Sequence, residues 1–537
     1  MERLYVTAAV LALALSWALY RLLQVGRRPK DYPPGPPTIP ILGNIHQMPS
    51  KDAHLQFEKW AHEYGDVYSL MLGTKTLIVL SSDEAVKELL DRRSVTYSSR
   101  PELYIGQDLC SDGLRMLMMG YGPQWRSLRK MVHNLLNQNV ARNYVPYQML
   151  ENKQMLYDFL ETPNDFLKHI RRYSNALTTS MVFGWRTPTY EDEAIVQLFD
   201  GFAEFSEINQ TGTAALIDFF PFLRRFPDYI LTTQKKAKDL HREERALYLR
   251  HWLRAKKEIK DGTISQCFCV GMAEAQEKDK FDDALAAYTS GTLLEAGSDT
   301  TSSTLYGFVL AMLLYPEVQK EAQQHIDKVC GDNRMPTMDD WEDLHYIRCV
   351  MKETLRWMPT TILGAVPHAT TADDTYKGFL IPKGAGIMNN VWTINNDPKR
   401  APNPRRFDPS RYKRDYLGLF DSASNPDGSK RDMFTFGAGR RICPGMHVAE
   451  RSLFLGIARV LWAFDVAPAL DASGEKIIPD QERLTQGFVC MPEEYNCKIT
   501  PRSEGRAERV RSEWRKAEEE LLDAKTKQWV ENPILRS

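Results

Sequence analysis

Cysteine is scarce in this sequence: eight among 537 residues, at positions 110, 267, 269, 330, 349, 443, 490 and 497. They lack the dense, regular spacing of a disulfide scaffold, which excludes a stapled secreted fold. A body facing a reducing compartment is expected, with most thiols packed as small hydrophobes. Cys267-Phe-Cys269 has no second pair at zinc-like spacing, which argues against a structural metal site. An excess of one charge is also missing. The 69 Lys and Arg nearly cancel the 70 Asp and Glu, so no global field selects nucleic acid or another polyanion. No internal repeat or low-complexity tract interrupts the chain, which removes solenoids and disordered arrays.

What is present begins with an address. Residues 4–20 carry no charge, and Leu22 to Val25 extend the run, with Arg21 free to snorkel. That makes roughly the 20 residues a bilayer requires. Arg21, Arg27, Arg28 and Lys30 follow and place the body on the cytoplasmic side. Residues 1–25 are therefore read as a transmembrane anchor. A cleaved signal peptide is the rival, weakened because Glu2 and Arg3 cancel and no clean cleavage site precedes the basic cluster. Residues 26–37 form a basic, proline-rich hinge ending in Pro33-Pro34-Gly35-Pro36-Pro37, a stiff spacer.

Two strands joined around Gly73-Thr74 predict a hairpin over 67–80. From about residue 83 helical patterns dominate. The longest spans 281–315, about 50 Å of helix, and halts at Pro316, which opens another helix through Val329. Short strand-like runs return over 376–395. The expected fold class is mainly α with small β-sheets, an α+β body over 38–502. Residues 503–537 form a charged helical extension in which Val510, Trp514, Ala517 and Leu521 recur at helical spacing. A solvated helix with one docking stripe accounts for this, and a partner-binding helix is the alternative.

The decisive stretch is Phe436-Gly-Ala-Gly439-Arg440-Arg441-Ile442-Cys443-Pro444-Gly445. It fails as a dinucleotide loop, because Ile442 stands where the third glycine belongs. As a nucleophile Cys443 has no local partner except His447. A buried structural thiol would not call for the surrounding glycines and arginines. The stretch suits a loop that presents a thiolate: glycines bring N–H groups near the sulfur, an arginine pairs with an anionic cofactor, and an aromatic residue shields the ligand.

Phe436, Gly439, Arg441, Cys443 and Gly445 meet every fixed position of Phe-x-x-Gly-x-Arg-x-Cys-x-Gly, and the sequence here resembles the cytochrome P450 superfamily. Other motifs agree in order and spacing over about residues 33–500. Ala296-Gly-Ser-Asp-Thr-Thr301 resembles the family's distal helix, which implies that Asp299 and Thr300 deliver protons where dioxygen is activated. Glu353-Thr-Leu-Arg356 with Pro409-Ser-Arg411-Tyr412 resembles the structural Glu–Arg–Arg trio, although Ser410 and Tyr412 replace the usual Glu and Phe. Trp125 and Arg129 match Trp-x-x-x-Arg, and His368 follows Pro367. These three are expected to face the haem propionates.

The resemblance implies haem b with Cys443 as the iron's axial ligand, and a monooxygenase acting on a hydrophobic small molecule with O2. No flavin or nicotinamide motif appears, so electrons from NADPH through a separate NADPH–cytochrome P450 reductase are expected, with no nucleic-acid partner. Arg126, Lys130, Lys430, Arg431 and Arg440 are a candidate docking patch. The substrate pocket should draw on 104–121, with Met116, Leu117, Met118 and Met119, and on 202–216, 290–296, 361–366 and 487–489. The closest likeness is to fungal microsomal enzymes that oxidise polyketides, terpenoids or alkaloids, which implies the endoplasmic reticulum membrane. An O2-independent isomerase or dehydratase, a detoxifying monooxygenase and a non-catalytic haem sensor are the rivals. The Asp299–Thr300 pair argues against the first, and the anchor and intact distal motif against the last.

Overall fold

A computed structural model describes residues 2–210, 212–531 and 533–536. Met1 of the expected anchor, Thr211 of an expected pocket segment, and Asn532 and Ser537 of the tail lie outside the described residues. The helices that shape the site are α1 (Glu2–Gln24), α2 (Pro123–Leu136), α3 (Val145–Glu161), α4 (Phe166–Phe183), α5 (Glu193–Gln210), α6 (Thr232–Lys260), α7 (Asp283–Leu314), α8 (His345–Trp357), α9 (Met446–Ala463) and α10 (Glu504–Leu521).

Helix α1 buries none of Tyr5–Gln24 against the body, and that stretch is long and apolar enough to cross a membrane. The hinge behind it is tied down rather than free. Arg28 donates from Nε to Ser69 Oγ at 2.9 Å, from Nη1 to Gly35 O at 2.8 Å and from Nη2 to Ser69 O at 2.8 Å. Ser69 returns its hydroxyl to Pro33 O at 2.6 Å and its N–H to Pro34 O at 2.8 Å. Proline removes donors from this segment, and the arginine supplies them.

Ser69 lies in β1 (Val67–Leu72), which turns through Gly73-Thr74 into antiparallel β2 (Lys75–Leu80), with Val67 opposite Leu80. Further strands are β3 (His368–Ala369), β4 (Asp374–Tyr376), β5 (Phe379–Ile381) and β6 (Gly386–Asn389). One sheet runs β1-β2-β6-β3, with β6 parallel to β2 and antiparallel to β3. It carries His368 inward against Ile387.

Helix α7 organises the rest. Its 32 residues start where the Asp282 side chain accepts from Leu285 N–H and stop before Pro316, so the helix is a residue or two shorter at each end than its hydrophobic pattern. It is flanked by α4, α6 and α9. One apolar cluster gathers its C-terminal half (Leu305 to Leu313) with α8 and α9. Another gathers its N-terminal half, including Tyr288 and Leu294, with Trp252 of α6 and Trp125 and Leu128 of α2. Residues 296–300 fall between the two clusters, and Ala296 is exposed in the middle of an otherwise buried helix. A gap in the packing therefore lies beside the centre of α7.

The extension folds back on the body. Ser503 caps α10, accepting from Arg506 N–H at 3.2 Å, and Ala507, Val510, Trp514 and Ala517 are buried along one face, which docks on α3. Arg186, 1 % exposed, binds Glu151 of α3 and donates to Lys527 O at 3.1 Å.

Candidate active site

Residues 436–445 form a loop that ends in the first turn of α9. Cys443 N–H donates to Phe436 O at 2.8 Å and closes it, while the Phe436 ring packs against the main core. Gly439 stands at φ +60° with its N–H on Asp91 Oδ1 at 2.7 Å. A Cβ there would fall 1.9 Å from Leu90 O, so only glycine fits. Burial pushes the Cys443 thiol up, against the pull of the Gly445 N–H and of Arg129. A coordinated metal reverses that balance, because a ligating thiol is deprotonated outright. Arg129, from α2, donates to Ile442 O and staples α2 to the residue before the cysteine.

Three guanidiniums converge beside the loop. Arg441 donates to Ser98 O at 2.8 Å and to Met119 O at 2.6 Å, and lies over the Trp125 ring at 4.0 Å. Arg100 donates to Leu117 O at 2.9 Å and to Val366 O at 2.7 Å. With Arg129 they bond only backbone carbonyls, and no carboxylate pairs with any of the three among the described residues. Burial, then repulsion from Arg100 and Arg129, drives Arg441 down to about 8, and burial lowers Arg100 to about 9. His368 donates from Nδ1 to Tyr97 O at 2.8 Å and is held neutral, its pKa driven to about 3 by burial and by Arg100. Buried cations without counter-charge cost several kcal/mol. Such a set calls for an anion.

Cys443, Arg100, Arg441 and Asp299 share one unusual setting. Each is wrapped by protein atoms deep in the molecule, and each still presents accessible surface. Side chains that line a cleft within the protein combine the two. The residues fit haem on chemical grounds: a thiol for the iron, guanidiniums for two propionates and apolar walls for the ring.

On α7, Thr300 donates its hydroxyl to Ala296 O at 2.6 Å. Burial raises the Asp299 carboxyl to about 6, with Arg171 opposing and Glu295 adding. This turn is buttressed by α4: Ser174 donates to Ser298 O at 2.6 Å, and a Cβ on Gly297 would sit 2.5 Å from Thr178 Oγ1.

Behind the loop, Glu353 is fully buried and accepts from Arg356 Nε at 2.7 Å and Nη2 at 2.8 Å, from Asp408 N–H at 2.8 Å and from Arg411 Nε at 3.3 Å. Thr435 donates to Leu355 O at 3.0 Å and joins this support to the cysteine loop. Of the expected pocket segments, 104–121, 202–216, 361–366 and 487–489 do meet. Ile105, Met118, Phe205, Val366 and Phe488 share one apolar cluster.

One expectation is corrected. Arg431 is not a surface cation: it is fully buried, donating to Asp91 Oδ2 at 3.0 Å and to Gly437 O at 2.5 Å. The Asp91 it meets also holds Gly439, so Arg431 belongs to the loop's foundation. Arg126, Lys130, Lys430 and Arg440 are exposed. Arg100 and Asp91 escaped sequence reasoning, since neither stands in a motif or at a spacing that marks it.

Loop and cation set fit a haem-binding oxidoreductase. The chain belongs to the cytochrome P450 family, which it matches over residues 33–499, and is a monooxygenase that uses molecular oxygen. It is similar to the cytochrome P450 monooxygenase virE of Hypocrea virens, 52 % identical over 92 % of this chain and 90 % of that protein. It is likewise similar to fogE of Aspergillus ruber, at 50 % over 96 % of this chain and 95 % of that one. A third relative, fsoB of Humicola fuscoatra, is 46 % identical over 98 % and 97 %.

Proposed function

We propose that this enzyme inserts one atom of O2 into a hydrophobic small molecule, a fungal secondary metabolite of the polyketide, terpenoid or alkaloid kind, at a haem b held by Cys443. The second oxygen atom leaves as water, with two electrons and two protons consumed. The observation that carries the reading is a half-buried thiol beside three guanidiniums that pair with no carboxylate among the described residues. Haem b supplies the redox-active iron, and a thiolate ligand favours O–O cleavage.

The chain's own residues do the rest. Arg100, Arg129 and Arg441, with Trp125, would hold the propionates, and His368 would join them once an anionic propionate keeps its imidazole protonated, with Nδ1–H on Tyr97 O and Nε2–H free to donate. Phe436 covers the sulfur, Gly439 shapes the loop, and Gly445 turns its N–H toward the sulfur and favours the thiolate. Asp299, whose carboxyl titrates near 6, takes up protons from outside, and the Thr300 hydroxyl passes them into the chamber. The apolar cluster around Phe205 and Phe488 supports a hydrophobic substrate. Electrons come from NADPH through a separate reductase, which docks on Arg126, Lys130, Lys430 and Arg440. Helix α1 holds the enzyme in the endoplasmic reticulum membrane with the body in the cytoplasm.

Microsomes bearing the enzyme and a reductase, incubated with fungal extract with and without NADPH, test this by mass spectrometry. A compound that gains one oxygen or loses two hydrogens only with NADPH is expected. Conversion without NADPH or mass change overturns it in favour of an isomerase. Cys443→Ala should abolish the red-shifted Soret band of the reduced carbon monoxide complex, and its persistence refutes the ligand assignment.

A further inference from the structure

A charged cluster lies buried near the distal turn of α7, and the chemistry proposed above gives it no role beyond the push of Glu295 on Asp299. Arg115, 1 % exposed, donates from Nη2 to Glu244 Oε2 at 2.6 Å, from Nη1 to Glu295, and from Nε to Ser111 Oγ at 3.0 Å. The Tyr248 hydroxyl donates to the other oxygen of Glu295. Glu244 and Tyr248 lie on α6. Glu295 lies on α7, beside exposed Ala296 and one turn before Asp299. The guanidinium sits 4.1 Å over the Phe205 ring, which packs on Phe488 with centroids 5.5 Å apart.

One cation thus faces two carboxylates out of water, and Glu244 Oε1 has no hydrogen-bond partner among the described residues. Burial pushes the Glu244 carboxyl up against the pull of Arg115. Burial also works against the charge on Arg115, and the two carboxylates more than offset it. Such clusters are weak stabilisers, and apolar replacement is often neutral or favourable. The cluster is better explained by what it positions.

Arg115 directly precedes the segment 116–119. Met118 and Met119 return their N–H groups to Arg115 O at 3.0 and 3.1 Å. The carbonyls of Leu117 and Met119 are held by Arg100 and Arg441. Four flexible apolar residues are therefore suspended between the buried cluster above and the cation set below. Methionines make a deformable wall, and the pin at Arg115 limits how far this one can yield.

We propose that Arg115 is the specificity-determining residue of the substrate chamber: by pinning segment 116–119 to α6 and α7, it sets the size of molecule that fits over the cofactor. The inference rests on the haem reading above. Azoles that bind ferric haem test it without a known substrate. Full-length enzyme in microsomes is titrated with imidazole, 1-phenylimidazole and clotrimazole by Soret shift. Arg115→Leu is expected to change the ratio of bulky to small dissociation constants by about tenfold in the fraction that carries haem, with imidazole affinity unchanged. A ratio within about twofold of wild type in a fully loaded variant overturns the proposal.

Arg115→Leu leaves two buried carboxylates uncompensated and can cost haem loading. The triple variant Arg115→Leu/Glu244→Gln/Glu295→Gln removes that charge. Loading that returns while the ratio stays shifted supports a positioning role. Loading and ratio returning together reduce the cluster to a structural one and sink the proposal. If neither variant loads haem, Glu244→Gln alone, which keeps the shape, is read by the same ratio. Wild-type enzyme that shows no shift with imidazole would refute the haem reading itself, not this inference.

Discussion

Two glycines of the cysteine loop resemble each other in sequence and differ in what they tolerate. Gly439 stands at φ +60°, and an added Cβ would fall 1.9 Å from Leu90 O, a backbone atom. An alanine there carries about 1–2 kcal/mol of left-handed strain. The loop must also move away from Leu90, which breaks the 2.7 Å bond from Gly439 N–H to Asp91. A hydrogen bond to a charged acceptor is worth about 1.5–3 kcal/mol. Gly439→Ala should therefore cost about 3–5 kcal/mol, a large part of a typical stability of about 5–15 kcal/mol. Gly445 stands at φ −85°, and its added Cβ would meet only Cys443 Sγ at 4.0 Å. Gly445→Ala should cost less than about 1 kcal/mol.

The assay is the area of the red-shifted Soret band of the reduced carbon monoxide complex per protein, and its loss on heating. Gly439→Ala should load little haem and lose it early, with Gly445→Ala near wild type. Equal behaviour of the two, or the reverse order, would show that the contact with Leu90 and Asp91 does not hold the loop.

Arg356→Leu should cost about 3–5 kcal/mol, because it strips two hydrogen bonds from fully buried Glu353; a urea midpoint for Soret loss that implies less than about 1 kcal/mol would contradict this. Burial raises Asp299 from 3.8 to about 6, so the folded protein binds an extra proton between those values. Its contribution to stability is fully present below about pH 4 and fades as pH rises through about 6. Asp299→Asn should flatten stability in that window and remove a titration near 6 from the yield of product per NADPH; unchanged profiles would remove Asp299 from proton delivery. Arg431→Glu should prevent haem loading, whereas Lys130→Glu/Arg440→Glu should load normally and raise the reductase concentration needed for half-maximal turnover. Unchanged turnover of that double variant at low reductase would sink the docking patch.

The parts of this protein that could be read in advance depend on neighbours in sequence. Phe436 to Gly445 could be picked out because a thiolate loop needs glycine, arginine and aromatic residues at fixed short spacings. Glu353 and Arg356 share a helix face three residues apart, and the C-terminal limit of α7 follows from Pro316. What stayed hidden is which charge neutralises which. Arg431 lies just before the loop and Arg440 within it, and the two look alike in sequence, yet one is buried because Asp91, 340 residues earlier, comes to meet it, and the other faces water. Arg100 is an ordinary loop arginine until folding places it beside Arg441, where no carboxylate among the described residues pairs with it. Arg115 meets carboxylates 129 and 180 residues away, and no local pattern could pair them. Ionic partners are chosen by the packing of α6, α7 and the loops over them, after the helices are specified. What could be read in advance therefore lies in short motifs, whereas the contacts we propose to select the substrate exist only once the chain has folded.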